Sequence, residues 1–301
     1  MAHFFDSPTH VIFTMKRILI QLDTDPQPST FDRVVAVDSG VDELFSYGGM
    51  TVDNAEALVH GSMFTRGPKD LKSTAIFVGG SDVSAGEAVL AKVQKTFFGP
   101  VRVSVMMDSN GSNTTAAAAV LCAQRHLNPV GCEALVLGGT GPVGLRAAQI
   151  LAGLGAHVRL ASRSVERAEQ ACAAIRAQVE DAQLTPVATG NDAETMQACS
   201  GAGLIIAAGA AGVQFLSTEQ RDSLDALKVA IDLNAVPPAG LEGVDMMDAG
   251  KDVDGVISYG AIGVGGLKMR IHKAAVRRLF ESNTHVLDTA AIYEIGREIG
   301  Q

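Results

Sequence analysis

The sequence predicts an α/β protein of two domains, an N-terminal parallel α/β domain followed by a second α/β domain, with C-terminal helices returning to the first. Three observations carry this. Short apolar runs of strand length alternate with helical patterns of about 10–15 residues, the signature of βαβ units and a parallel sheet covered on both faces. The alternation restarts once, after Asn128-Pro129-Val130-Gly131. The length, 301 residues, is twice the usual domain size of about 150 and leaves room for a sizeable core.

The elements follow in order. Residues 17–22 (RILIQL) read as a buried strand, 31–38 as a helix and 43–47 as a short strand. Residues 52–64 read as a helix opened by Thr51 as N-cap. A strand over 74–78 (TAIFV) ends in Gly79-Gly80. Val83, Val89, Leu90, Val93 and Phe97 recur at helical spacing, which makes 83–97 a helix. A strand at 101–106 and a helix at 112–127 close the first series. The second opens with a strand at 134–137, a glycine-rich turn and a helix to Leu154. A strand at 157–161, a helix at 165–179 and strands at 184–188, 204–208 and 229–233 follow. Leu267, Ile271, Ala274, Ala275 and Leu279 share one face of a helix over 267–281, and a helix at 289–299 follows Asp288 as N-cap. These two helices are placed to cross back, so the domains are 1–127 plus 270–301, and 128–269.

Composition excludes several classes. Hydrophobic residues at 47% and charged residues at 19% describe neither a disordered chain nor a membrane protein. No apolar run approaches the ~20 residues that span a bilayer. The 32 glycines follow no G-X-Y period. A net charge of −9 with no basic run, no Trp and 5% aromatics makes a poor partner for nucleic acid or an anionic membrane. Cys122, Cys132, Cys172 and Cys199 form no CxxC pair, which reads as a reduced, cytoplasmic protein without disulfides or zinc. The first fourteen residues, MAHFFDSPTHVIFT, lack a basic n-region and a long h-region. With Met15 standing directly before the first strand, they read as an extension or an upstream start rather than a signal peptide.

Gly139-Thr140-Gly141-Pro142-Val143-Gly144 matches G-x-G-x-x-G between a strand and a helix, the context of a Rossmann dinucleotide-binding domain. The first glycine permits the turn, the second lets backbone approach a pyrophosphate, and the third lets helix and strand pack. The helix N-terminus then faces the phosphates. At the end of the next strand, where an NAD enzyme carries an acid for the ribose hydroxyls, stand Ser162-Arg163-Ser164. Two hydroxyls and a guanidinium suit a 2′-phosphate, so the expected cofactor is NADP. Arg167 either adds to that clamp or is a solvated helix residue. Ala208, at a later strand end, lets a flat cofactor lie close to backbone. Asn234 either holds the nicotinamide end or satisfies turn backbone.

Other chemistry is sparse. Four residues after Tyr47, Tyr259 and Tyr293 stand Thr51, Gly263 and Arg297, so a Tyr-x-x-x-Lys dyad is absent. The seven histidines form no HExxH motif and no close pair, which predicts no metal, and most read as surface or helix-face residues. Lys268, where Gly265-Gly266 enters a helix, either aims an ammonium into a cleft or is solvated. Asp23 and Asp25 end the first strand and Asp38 ends the first helix. Carboxylates at strand ends face the ligand side of open α/β sheets, though they equally serve as caps. The polar loop from Asp108 through Asn110 and Ser112 to Thr115 carries N-cap chemistry.

From Met15 to the C-terminus the sequence resembles the NADP-dependent methylene-tetrahydromethanopterin/methylene-tetrahydrofolate dehydrogenases of methylotrophic bacteria. The resemblance rests on Gln21-Leu22-Asp23-Thr24-Asp25, Phe31-Asp32, Ser73 to Gly80, Phe97-Phe98-Gly99-Pro100, Asp108 to Ala116, the glycine turn and Gly265-Gly266-Leu267-Lys268. It implies a reduced pterin in the interdomain cleft, hydride transfer from its methylene carbon to NADP⁺, and a methenyl product. It also implies Lys268, Asp32 and Asp38 as catalytic residues, and Phe31, Asp23, Asn110, Ser112 and Lys268 as substrate contacts. Gly139, Thr140, Gly141, Pro142, Val143, Ser162, Arg163, Ser164, Ala208 and Asn234 would bind the cofactor. The family suggests a homo-oligomer, such as a trimer. Ala161-Ser162-Arg163 replaces the family's usual Gly-Arg pair but keeps the arginine. Without Tyr-x-x-x-Lys, cyclohydrolase activity is not expected. A shikimate/quinate-type dehydrogenase, suggested by Ser162 to Ala168, and a non-catalytic NADP sensor stay open as alternatives, as does the choice between the two C1 carriers.

Overall fold

A computed structural model describes residues 15–300; the reading of the first fourteen residues as an extension lies outside them. The first series gives β1 (Ile18–Asp23), α1 (Thr30–Asp38), β2 (Glu43–Tyr47), α2 (Ala55–Phe64), β3 (Thr74–Gly79), α3 (Val83–Thr96), β4 (Ser104–Met107) and α4 (Ser112–Gln124). The second gives β5 (Glu133–Leu137), α5 (Pro142–Gly153), β6 (His157–Ser162), α6 (Val165–Arg176), β7 (Leu184–Ala188), α7 (Asp192–Cys199), β8 (Leu204–Ala207), α8 (Thr218–Asp222) and β9 (Val229–Asp232). A hairpin, β10 (Ala249–Val253) and β11 (Val256–Tyr259), precedes α9 (Ala261–Arg278), β12 (Val286–Leu287) and α10 (Thr289–Gly300).

These strands build two sheets. One is five-stranded, in the order β12-β4-β3-β1-β2, with every pairing parallel. The other is seven-stranded, in the order β10-β11-β9-β8-β5-β6-β7, parallel except for the β10–β11 hairpin. In each, the chain starts near the middle, builds to one side and then returns to build the other. The crevices where the order reverses, at the carboxyl ends of β1/β3 and of β5/β8, are where such sheets bind ligands. β3 and β8 are buried at every residue, which is why they read as unbroken apolar runs rather than alternating patterns.

Four helices pack between the sheets. α4 contacts α5, α9 and α10, and its Ala116, Ala117, Ala118 and Ala119 are fully buried. Small side chains let three helices approach it closely. One apolar cluster runs from Leu19, Phe77 and Met106 of the first sheet, through α4 and Ile271 and Ile292 of α9 and α10, to Val136 and Leu160 of the second.

Several boundaries differ from the sequence reading. α2 begins at Ala55, because Thr51 to Asn54 form a turn in which Asn54 Oδ1 accepts from the Thr51 amide and Thr51 Oγ1 accepts from the Asp53 amide. β4 begins at Ser104, since Phe98 and Val101 instead bond each other around Gly99. Gly265 and Gly266 lie inside α9, which starts six residues before Leu267. At Gly260 and Gly263 a Cβ would stand 2.1 Å from the Asp245 carbonyl oxygen and 1.8 Å from that of Asp248, so these glycines are what lets the helix begin against that loop. The hairpin, α7, α8 and the two-residue β12 carry too weak a periodicity to read.

Candidate functional site

Each crevice holds a cavity. The one at β5/β8 has a volume of about 370 Å³. Its floor is shaped by absent side chains. Gly138 takes φ +67°, so the turn glycine precedes the motif rather than being Gly139. A Cβ on Gly139 would stand 2.7 Å from Leu160 Cγ, and one on Gly144 would stand 2.5 Å from the Gly138 carbonyl oxygen. Pro142 at the first position of α5 lacks an N–H, while those of Val143 and Gly144 precede the first intrahelical bond, from Leu145 to Gly141. Thr140, Gly141, Ser162, Arg163, Arg167 and Ala208 line the cavity. Backbone donors at a helix start, with two guanidiniums and a hydroxyl at the next strand end, fit a phosphorylated dinucleotide.

Not every expected cofactor residue lines this space. Gly139 serves packing under the turn, and Pro142 and Val143 form the first turn of α5. Ser164 caps α6, accepting from the Arg167 amide and donating to Glu166. Asn234 donates to the Pro238 carbonyl and accepts from the Val236 amide, which is the turn role, and it is not among the residues lining this cavity. Thr189, Val213 and Phe215, which also line the cavity, sit on loops with no sequence signal.

The cavity at β1/β3 is about 350 Å³, lined by Asp25, Ser29, Phe31 and Asp32 after β1, Gly80 and Ser81 after β3, Asn110, Gly111 and Thr115 around the start of α4, and Lys268 from α9. Asp23 lies beneath it, fully buried. Its carboxylate accepts from the Asp25 and Ser29 amides and from Gln21 Nε2, which folds the loop after β1 over the strand end. Ser29 then caps α1 by accepting from the Asp32 amide at 3.2 Å. The cap presents Phe31 and Asp32 on the first turn of α1. Phe31 is 50% exposed, and the Lys268 ammonium stands 4.1 Å from its ring centroid, a cation–π contact. Asp25 is held by the amide and hydroxyl of Ser81.

Behind this wall stand two groups that the sequence reading did not single out. Asp108 is fully buried, its carboxylate accepting from the Asn113 and Thr114 amides and from Thr114 Oγ1 at 2.6 Å. His272, one turn after Lys268 on α9, is also fully buried, a helix-face histidine turned inward. Its ring stacks on Phe77 and its Nδ1 lies 3.9 Å from Asp108 Oδ2. The i, i+4 spacing of Lys268 and His272 was readable as a shared face; what that face meets was not.

Burial and charge tune the cluster. Burial first, then the Asp108 charge, pushes the Asp32 carboxyl up to about 6, partly offset by Ser29 and Lys268. Burial lowers the Lys268 ammonium from its ordinary value, and Asp108 and Asp32 oppose that. Burial takes His272 down to about 4, keeping it neutral near pH 7.

Two further expected residues fall elsewhere. Asp38, at the far end of α1, is half-exposed and paired to Lys273 at 2.8 Å; five residues of helix separate it from Asp32, so it is not part of this cluster. Ser112 is buried and donates to the Ser109 carbonyl, a bond internal to the loop.

Comparison with known proteins places this geometry. Residues 30–110 match the family described as "Methylene-tetrahydromethanopterin dehydrogenase, N-terminal". The chain is 44% identical over 286 residues to the bifunctional protein MdtA of Methylorubrum extorquens, covering 94% of this chain and 99% of the relative. It is 30% identical over 293 residues to the NAD(P)-dependent methylenetetrahydromethanopterin dehydrogenase of the same organism, with the same coverage. The chain belongs to the methylene-tetrahydromethanopterin dehydrogenase family. As a member it is an oxidoreductase that binds NAD(P). Among solved structures it is similar in fold to quinate dehydrogenase from Corynebacterium glutamicum in complex with NAD, with TM-score 0.53, 11% identity, and 94% and 99% of the two chains covered. Shikimate 5-dehydrogenase from Listeria monocytogenes, in complex with shikimate and NAD, gives TM-score 0.50 at 12% identity, with 95% and 98% covered. These likenesses are of fold alone. No helix among the described residues is long and apolar enough to cross a membrane.

Proposed function

We propose that this chain oxidises the methylene group of a reduced, C1-carrying pterin, tetrahydromethanopterin or tetrahydrofolate in class, with NADP⁺ as hydride acceptor, giving the methenyl form. The observation that carries the reading is the half-exposed Phe31 ring, which with Asp32 lies inside the segment that matches the family, and the Lys268 ammonium that α9 brings against it. In domain terms, residues 1–127 plus 270–301 hold the pterin and 128–269 the nucleotide, with Lys268 reaching from the second segment into the pterin cavity. NADP rather than NAD is favoured by Arg163 and Arg167 at the end of β6. A cytoplasmic location is the reading that four free cysteines support. Assembly of several copies is supported by β2, a sheet edge that no other described strand pairs with, where Phe45 and Tyr47 are exposed.

NADP⁺ bound at β5/β8 would supply the hydride acceptor; the free amides at the start of α5 would hold its phosphates and Arg163 a 2′-phosphate. Phe31 offers an apolar face to the flat pterin. Lys268 donates hydrogen bonds to a substrate acceptor and, being held against Phe31, fixes the substrate's position. No proton transfer is required, because the nitrogens beside the methylene carbon stabilise the cation as it forms. The protein's task is alignment, worth about 7–11 kcal/mol in favourable cases, and charge. Asp32 and Asp108 against Lys268 leave the cluster net negative, which favours the methenyl cation over its neutral precursor.

The test is NADP⁺ reduction followed at 340 nm with methylene-tetrahydromethanopterin and methylene-tetrahydrofolate in parallel, with NAD⁺ as control cofactor and shikimate and quinate as control substrates. Turnover with either pterin is the expected result, and the kcat/KM ratio assigns the carrier. Tight NADP⁺ binding without pterin turnover would overturn the reading in favour of a sensor. Turnover with shikimate or quinate alone would favour the other dehydrogenase class.

A further inference from the structure

The helix that starts at the nucleotide loop carries a guanidinium that the chemistry above does not use. Arg146 lies two residues after Gly144 on α5, its side chain 6% exposed. Its Nη2 pairs with Glu87 of α3, and its Nε donates to Asn113 Oδ1 of α4 at 3.2 Å. Both partners belong to the half of the chain that forms the β1/β3 cavity. Asn113 is bonded on all sides of its side chain: its backbone amide donates to Asp108, its Nδ2 to the Met107 carbonyl, and its Oδ1 accepts from Arg146 and from Thr289 of α10. Asp108 in turn sets the charge felt by Lys268 and Asp32. A continuous series of bonds therefore runs from the first turns of the nucleotide helix to the carboxylate behind the other cavity.

Stability alone does not account for this arrangement. Burying a guanidinium is costly, and an apolar side chain would fill the α4–α5 contact, already rich in alanine, at lower cost. What a planar fork adds is direction: it fixes α5 against α3 and α4 at once, which packing of smooth alanine faces does not. We propose that Arg146 is a positioning residue that locks the nucleotide loop to the Asp108–Lys268 cluster and so sets the distance across which hydride passes. This rests on the dehydrogenase reading above.

The test uses the full chain with Arg146→Met, Arg146→Lys and Glu87→Gln. In cofactor-free protein, hydrogen exchange at the Asn113 and Thr114 amides is expected to quicken about 10-fold or more in Arg146→Met, with β1 and β3 unchanged. In the loaded enzyme, kcat with the methylene pterin is expected to fall about 10- to 100-fold. The Kd for NADP⁺ should stay within about twofold, since no phosphate contact is removed. Deuterium at the methylene carbon is expected to slow the variant more than the wild type. Arg146→Lys and Glu87→Gln, each keeping part of the fork's bonding, should fall between. An active wild type with unchanged exchange and kcat in Arg146→Met would overturn the proposal. So would a loss of NADP⁺ affinity matching the loss of kcat, or a lower melting temperature with kcat per folded molecule intact. An inactive wild type would fell the dehydrogenase reading and the hydride-distance role with it, a result distinct from any of these.

Discussion

At the carboxyl ends of β5 and β8 the cavity floor is glycine, alanine and backbone, with Ser162, Arg163 and Arg167 at one side; at the carboxyl ends of β1 and β3 the wall carries aspartates, a lysine and a phenylalanine. The first is made by leaving side chains out, so that a polyphosphate can lie against amides. The second is made by holding charges where water is scarce and letting them act on one another. A backbone cradle is insensitive to pH and demands particular glycines. A charge cluster tolerates small shifts of backbone but depends on every member's ionisation. Under the proposed function, one crevice grips and the other discriminates a neutral substrate from a cationic product.

That contrast is open to attack at four points. The largest expected effect is Lys268→Met, which removes the ammonium held against Phe31. It should lower kcat/KM for the pterin by about 10²- to 10³-fold, measured by steady-state kinetics, with NADP⁺ affinity retained. If nucleotide binding fell equally, the two cavities would not be separate in function. Next, Arg163→Gln removes a charged donor from the β6 end. It should weaken NADP⁺ by about 10- to 100-fold relative to NAD⁺, measured by titration with both nucleotides. Third, Gly144→Ala places a methyl 2.5 Å from the Gly138 oxygen. It should cost about 1–3 kcal/mol of stability, seen as a lower melting temperature, with the loss of nucleotide affinity following from the moved turn.

The smallest effect on stability concerns Asp32. Its carboxyl titrates near 6 in the folded protein, above its ordinary value, so the folded state holds the proton more tightly between roughly pH 4 and 6. Stability therefore falls as pH rises through that window and stays lower above it. Asp32→Asn should raise stability by about 1 kcal/mol at pH 7–8, a figure discounted for the partly exposed side chain, and leave pH 4 unchanged. The same variant should remove the limb of kcat/KM that falls below about pH 6 in the wild type. A stabilised variant that keeps wild-type activity and pH profile would show that the charge at Asp32 does no work on the substrate.

The sequence made the strand–helix alternation, both sheets and the glycine cradle readable, because periodicity and a turn that only glycine fits are local properties. Phe31, Asp32, Asn110 and Lys268 were read as substrate-site residues, and the structure gathers all of them at one cavity. Asp38 went wrong because a carboxylate at a helix end looks alike in sequence whether it meets a ligand or Lys273, which is 235 residues away. Asp108 and His272 were missed for a related reason: their importance lies in being buried beside Lys268, and burial is decided by α9 crossing back from the end of the chain. Arg146 was invisible because its partners Glu87 and Asn113 come from the other half. Within the glycine motif, the residue taken for the turn was one position late, since Gly138 takes the left-handed backbone.

The return of α9, β12 and α10 also constrains how the molecule is made. β12 completes the edge of a sheet whose other strands are finished by residue 107, and α9 delivers Lys268 to a cavity whose other walls are finished by residue 115. While the ribosome is still adding the second sheet, β4 has an open edge and α4 lacks two of its covering helices. The half synthesised first must wait, partly uncovered, until α9, β12 and α10 have been made, so its exposure to misassembly lasts through the synthesis of the whole second sheet.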